Sequence, residues 1–294
     1  MDSANPVQLS TILTELAAFF NQHQAPTYLV ATSGGKDSML LCELLRQLGL
    51  PIEIAHVNYG LRGEQSDLDQ AFVTAYCQQH QLVLHVKKID LRAQLQSKNT
   101  NLQAKARAIR YAFFEEIRVE KPNSMICTAH HADDQVETVF MQLSRGTGLH
   151  GLTGIPERRE DALSIARPLL SFSKLAIIEF AKTNGLDFVE DSSNSKDDYT
   201  RNLFRHKIVP IIQEVIPNMT QNVLDTIQRL KESEAIVEAT VTDFWKKGLR
   251  VQKGILTIPI KHWKKANHNF TYTWGLIKNY GFKPQQINEV HKLL

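Results

Sequence analysis

Six residues, Ser33-Gly34-Gly35-Lys36-Asp37-Ser38, follow a short hydrophobic run and have the makings of a phosphate cradle. Paired glycines let a backbone turn sharply and approach an anion closely, because no Cβ intervenes. The loop amides and the start of the next helix then offer N–H donors and partial positive charge. Ser33 and Ser38 can donate hydroxyl hydrogen bonds, and Lys36 adds a point charge if its side chain turns inward. The pattern G-x-x-x-x-G-K-[ST] is absent, so this is not the ordinary phosphate loop of an NTPase. A plainer reading stays open, a glycine turn before a helix whose dipole Asp37 serves.

A second stretch, Thr128 to Thr138 (TAHHADDQVET), packs two His, two Asp and a Glu into eight residues. At the carboxyl end of a parallel strand such side chains face the crevice where ligands bind. In a helix from Asp133 onward, Asp134 and Glu137 stand three apart and share a face. No two histidines stand four apart, so the zinc geometry of H-E-x-x-H is not met. Carboxylates holding Mg²⁺ beside a triphosphate suit this oxygen-rich group better, with Asp37 and Asp134 as ligands. Which of Asp37, Asp134 and Glu137 binds metal and which accepts a proton stays open, as does a solvated capping role for all three.

The elements that must position these loops are legible in the pattern. Apolar residues at Leu9, Ile12, Leu13, Leu16, Ala17 and Phe20 have helical spacing. Strand-like TYLVA, IEIAHVNYG, LVLHVKKID and SMICTAHH then alternate with helical DSMLLCELLRQLG, DLDQAFVTAYCQQH, LQAKARAIRYAFFEEIRVE and DDQVETVFMQLSR. Strands alternating with helices imply right-handed crossovers and a doubly wound parallel α/β sheet. Beyond Gly146 come a Gly-rich loop, an Arg-containing stretch, the helix SKLAIIEFAKTNG and the polar run EDSSNSKDDYTRN, a loop by composition. From Leu203 to Glu238 the pattern is helical, and Pro210 and Pro217 are expected to break it. The expected domains are 1–215 and a smaller, mainly helical 216–294.

With 294 residues, 43% of them hydrophobic and 22% charged, the chain is long enough for two cores. No apolar run reaches the ~18 residues of a membrane span, and the opening MDSANPVQLS has no signal-peptide core, which points to the cytoplasm. Cys42, Cys77 and Cys127 are far apart and form no C-x-x-C, so buried thiols are expected. A net charge of +3 permits a polyanionic partner without demanding one.

SGGKDS after a hydrophobic strand resembles the loop of the N-type ATP pyrophosphatases of the PP-loop superfamily. The longer pattern is similar to the tRNA(Ile)-lysidine synthase family, through HVNYGLRGEQSDLDQAFV (56–73), AKARAIRYAFF (104–114), TAHHADDQVETVFMQLSRGTGLHGL (128–152), RPLL (167–170) and EDSSNSKDDYTRNLFRHKIVPII (190–212). SGGKDS is shared across the superfamily, tRNA thiolases included, whereas RGTGLHGL and the DSSN…RN-x-x-R segment are far more specific. Longer members carry a further C-terminal domain used on tRNA, which this chain is expected either to lack or to have lost by truncation.

The resemblance implies an adenine nucleotide alpha hydrolase-like fold and a two-step reaction. ATP adenylates the C2 oxygen of the wobble cytidine of an isoleucine tRNA, releasing pyrophosphate, and the ε-amine of free L-lysine then attacks C2 and expels AMP. It assigns ATP to Ser33 through Ser38 and chemistry to Asp37, Arg110, His130 and Asp134, with Mg²⁺ on Asp37 and Asp134. Arg107, Glu137, Arg145, Asp191, Arg201, Asn202 and Arg205 fall on the substrate side, with Asp191, Asp197, Asp198 and Arg201 suited to the charges of a free amino acid. Lys246, Lys247, Arg250, Lys253, Lys261, Lys264 and Lys265, interleaved with Trp245 and Trp263, could follow an RNA backbone. No protein partner and no membrane is implied. Two rivals are a tRNA thiolase, which needs a reactive cysteine near the ATP loops, and a nucleotide-binding module without catalysis.

Overall fold

A computed structural model describes residues 7–93, 102–160, 163–183, 200–253, 255–266 and 269–293. The chain divides into two units, Met1–Gly146 with Gly154–Leu224, and Thr147–Thr153 with Asp225–Leu294. The first unit begins with α1 (Val7–Gln22), β1 (Tyr28–Thr32), α2 (Lys36–Gln47), β2 (Ile52–Asn58), α3 (Glu64–Gln79), β3 (Val83–Lys88), α4 (Leu102–Glu120), β4 (Met125–Cys127) and α5 (Ala132–Arg145). After α6 (Leu149–Leu152), which is in the second unit, come β5 (Arg158–Glu160), β6 (Ser164–Ala166) and α7 (Lys174–Thr183).

The sheet order is β3-β2-β1-β4-β6-β5, parallel except for β5, which runs antiparallel to β6 at one edge. Alternation along the strands serves two cores. Tyr28, Val30, Ile52, Ile54, Met125 and Cys127 face one cluster, which Leu16, Phe20, Leu40, Leu44, Val73 and Phe180 complete. Leu29, Ala55 and Ile126 face the other, against Phe113, Phe114 and Ile117 of α4. Each side chain so buried contributes about 1.5–3 kcal/mol. Strands covered on both faces read as continuous apolar runs, which is why YLVAT and IEIA were recognisable. The antiparallel β5–β6 hairpin was not, because its strands are three residues long and β5 is two arginines and a glutamate.

The order reverses between β1 and β4, so the loops after these two strands, 33–35 and 128–131, flank a topological switch point. Downstream, α8 (Thr200–Leu203) shows that the polar run is already helical by Thr200; residues 190–199 lie outside those described. Pro210 does not break the chain. A π-helical turn, Phe204–Ile208, leads straight into α9 (Val209–Val215), with Pro210 in its first turn and Val209 N–H donating to the Phe204 carbonyl five residues back. The wide turn and the first-turn position accommodate a residue that has no N–H and whose ring crowds the preceding turn. Pro217 does end the helix, before α10 (Met219–Gly248).

In the second unit, Trp245, Val241 and Ala266 form a small core with Phe244, Trp263 and Tyr272. The hairpin β7 (Arg250–Gln252) and β8 (Ile255–Thr257) precedes the short helices α11 (Ile260–Trp263), α12 (Phe270–Ile277) and α13 (Ile287–Lys292). Trp245 Nε1 donates to the Tyr272 carbonyl at 2.7 Å, so this indole is a core group and not an exposed stacking face for RNA. Gly248 is required there: a Cβ would lie 2.1 Å from the His262 ring.

Candidate active site

The first loop is braced from within. Gly34 has φ +87°, a conformation that L side chains avoid, and a Cβ there would press on the Asp69 carbonyl and Val73 at 3.4 Å. Ser38 Oγ donates to the Gly35 carbonyl at 2.8 Å and accepts from Ser33 N–H at 3.3 Å. Ser38 therefore ties the loop before any ligand arrives. His56, 3% exposed, supports it from β2 through Nδ1, 2.9 Å from the Thr32 carbonyl. Burial pushes the His56 pKa down, so the ring is neutral; a carbonyl only accepts, so Nδ1 carries the hydrogen. Nothing in the sequence pattern singled out His56 for this task.

The second loop holds two adjacent histidines in opposite charge states. His130 pairs with Thr128 Oγ1 at 2.9 Å, and burial pushes its pKa down to about 4, so it is neutral at pH 7. His131 is 2% exposed; burial opposes its charge, but three carboxylates outweigh that and raise its pKa to about 9. Its nitrogens lie 3.4 Å from Asp133, 3.6 Å from Asp134 and 3.7 Å from Asp37. These are ion-pair distances, and Nδ1 has no well-formed hydrogen bond. Asp133 caps α7 by accepting from Lys174 N–H at 2.7 Å.

Asp134 and Glu137 do share a face of α5, and arginines occupy it. Arg201 donates to Asp134 at 2.6 Å and to Glu137 at 2.8 Å, while Arg205 donates to Glu137 at 2.5 Å and to Asp134 at 2.9 Å. Four residues apart on continuous helix, the two guanidiniums reach one carboxylate pair together. Burial alone would raise the Asp134 pKa; the charges of His131 and Arg201 hold it below its ordinary value instead. Asp134 Oδ1 thus accepts two guanidiniums, and Oδ2 accepts His131 N–H at 2.9 Å. Asp37 differs: its Oδ1 is buried with no hydrogen-bond partner.

Between the loops opens a cleft of about 590 Å³, within the usual range for small-molecule sites. Its lining combines the polar Ser33, Lys36, Asp37, His130, Arg110, Arg201 and Arg205 with Ala31, Ala55, Val57, Tyr59, Tyr111 and Phe114. Glu137 does not line it. Arg145, exposed at the end of α5, lies about 16 Å along the helix from Asp134. Asn202 is half-buried outside the lining, Arg107 is exposed on α4, and Asp191 is outside the described residues.

Residues 8–212 match the family described as the PP-loop domain. The chain belongs to this family. The Ser33–Ser38 turn lies within the matched residues, at the place where the resemblance puts a PP loop. The chain is 36% identical over 262 residues to a tRNA(Ile)-lysidine synthase of Porphyromonas gingivalis, covering 89% of this chain and 56% of that protein. It is 39% identical over 233 residues to that of Bacillus subtilis, covering 76% and 49%. The chain spans about half the length of these curated relatives. A U34-tRNA thiolase from Methanococcus maripaludis has the same fold, with a TM-score of 0.62 and 16% identity over 76% of this chain and 79% of that one.

Around this PP loop there is no nucleophilic thiol. Cys42, Cys77 and Cys127 are all buried, none lines the cleft, and burial pushes Cys42 up to about 12 and Cys77 up to about 11. A raised pKa suppresses the thiolate that nucleophilic attack needs, so these cysteines act as packing groups. Among the described residues no cluster of three or more His, Cys, Asp or Glu could hold a metal ion. None of the described helices is long and apolar enough to cross a membrane.

Proposed function

We propose that this chain carries the catalytic part of a tRNA(Ile)-lysidine synthase. ATP transfers AMP to the C2 oxygen of the wobble cytidine of isoleucine tRNA, pyrophosphate leaves, and the ε-amine of free L-lysine displaces AMP at C2. The observation that carries this reading is the cleft of about 590 Å³ at the switch point, which residues of the PP loop, Arg110 and His130 line together. The similarity to lysidine synthases over most of the chain supports the choice among PP-loop reactions. The inert cysteines weigh against sulfur transfer.

The residues divide the work. PP-loop amides and the α2 N-terminus receive the phosphates, and Arg110 steadies charge developing at the α-phosphate. Neutral His130 can hydrogen-bond the cytidine or the incoming amine without repelling a cation. Asp37 Oδ1 fits Mg²⁺, an ion that prefers oxygen ligands and neutralises triphosphate charge. Asp134 suits that role poorly, since arginines and a backbone amide already occupy it. Asp134 and Glu137 instead hold Arg201 and Arg205, the first of which would meet the lysine or the tRNA. We assign the chemistry to 1–215, tRNA holding to 216–294, and the reaction to the cytoplasm.

Mass spectrometry of isoleucine tRNA incubated with the chain, ATP and lysine tests the proposal. Lysine-dependent conversion of one cytidine, with AMP and pyrophosphate formed in equal amounts, is expected. ATP binding without pyrophosphate release would leave a nucleotide-binding module, and a sulfur-containing product would leave a thiolase.

A further inference from the structure

Tyr111 on α4 is crowded by guanidinium groups. Arg107, one turn earlier, donates from Nη2 to the Tyr111 hydroxyl at 2.7 Å and sets its Cζ 4.5 Å from the ring centre. Arg159 of β5 stands 5.4 Å, and Arg110 5.9 Å, from the same centre. Arg167 is close behind, 4% exposed, with Nη1 donating to the Pro156 carbonyl at 2.6 Å and Nε buried without a partner. Burial, followed by the like charges of Arg159 and Arg107, pushes the Arg167 pKa down, against a favourable contribution from Tyr111. Among the described residues no carboxylate pairs with Arg107, Arg110 or Arg167. Arg201 and Arg205, which also line the cleft, are by contrast matched by Asp134 and Glu137.

Among the described residues, the charges of Arg107, Arg110 and Arg167 gather around Tyr111 with no carboxylate paired to them, which is unfavourable until an anion arrives. The position of the group narrows which anion. Tyr111 and Arg110 belong to the cleft wall, whereas Arg107 is exposed and outside the lining. The strip therefore starts inside the cleft and runs out along α4 to the surface. A free nucleotide seated on the PP loop has no need of charge beyond the cleft, but a chain polyanion with one unit inside and the next outside does.

We propose that Tyr111 and its arginines form a docking strip for the phosphodiester backbone of a single-stranded RNA whose target base enters the cleft. Arg107, its fork fixed by the Tyr111 hydroxyl, takes the phosphate on the solvent side; Arg110 stays with the reacting nucleotide. This rests on the RNA-modifying reading above.

The test is fluorescence anisotropy of a labelled anticodon stem-loop bound to the 294-residue chain between 50 and 200 mM salt, with ATP affinity measured in parallel. Arg107→Glu should weaken RNA binding by about tenfold or more, and Arg107→Gln should flatten the slope of log K against log salt by about 0.7, one single-strand phosphate contact. Arg107→Lys should restore most of that slope, and ATP affinity should stay within about twofold throughout. Unchanged RNA affinity in Arg107→Glu, or a parallel loss of ATP affinity, would overturn the strip while leaving lysidine synthesis standing. A parent chain that binds no stem-loop would sink both. Displacement of the stem-loop by poly-glutamate as effective as by unlabelled RNA would assign the strip to an acidic peptide instead.

Discussion

Asp37 Oδ2 lies 3.7 Å from His131 Nε2, joining the PP loop to the loop after β4. The pair leaves the other oxygen of Asp37 buried and unpartnered. Asp37→Asn keeps the size of the side chain but removes its negative charge. Pyrophosphate release should fall by about a hundredfold or more, a typical loss when an electrostatic group of an active site is removed. Circular dichroism should show the fold intact. Turnover within a fewfold of the parent would return Asp37 to a helix-capping role.

The buried acids of α5 make a prediction about stability. The Glu137 side chain is 3% exposed and Arg205 25%. Breaking a buried ion pair costs about 3–5 kcal/mol, and the partly exposed guanidiniums should reduce this to about 2 kcal/mol for Glu137→Gln. Arg145→Ala, on the exposed end of the same helix, should stay within about 0.5 kcal/mol. Urea unfolding midpoints of the two variants decide the matter; equal values would mean that the arginine cluster does not hold α5 to α8.

His56 separates support of the PP loop from contact with ligand. The amide nitrogen of His56→Asn can take the place of Nδ1 and donate to the Thr32 carbonyl, whereas His56→Leu leaves that carbonyl bare. The loss of one buried hydrogen bond, about 1–3 kcal/mol, should appear in His56→Leu as a raised KM for ATP. His56→Asn should recover most of it. If Asn is as poor as Leu, the ring itself matters and the hydrogen bond does not.

In the second unit Lys246, Lys247, Lys264 and Lys265 are all exposed. Their replacement together by Ala should raise the KM for tRNA and flatten its salt dependence, since each phosphate contact releases counterions. The KM for ATP should not change. Steady-state kinetics at two salt concentrations would reveal an equal effect on both substrates, or none on either, and so remove RNA holding from this unit.

Local chemistry was enough to find the two loops. SGGKDS and TAHHADDQVET follow apolar strands and open helices, and the alternation of strand and helix fixes a parallel sheet whose carboxyl ends gather them. α4 was legible residue for residue, because its apolar positions repeat with helical spacing over 102–120. What each charged side chain does was not legible, because charge partners are chosen across distances that sequence spacing does not record. Glu137 reads as a site residue until Arg201 and Arg205, more than sixty residues later, close over it. Asp133, Asp134 and Asp37 look alike in the chain, yet one caps α7, one binds two guanidiniums, and one keeps a buried oxygen unmatched. His130 and His131 are neighbours in sequence but differ in charge, because burial outweighs the nearby Asp134 at the first ring, whereas three carboxylates outweigh burial at the second. Even Pro210 followed this rule: its ring forbids an ordinary mid-helix turn, and only the fold could supply the π turn and first-turn position that accommodate it.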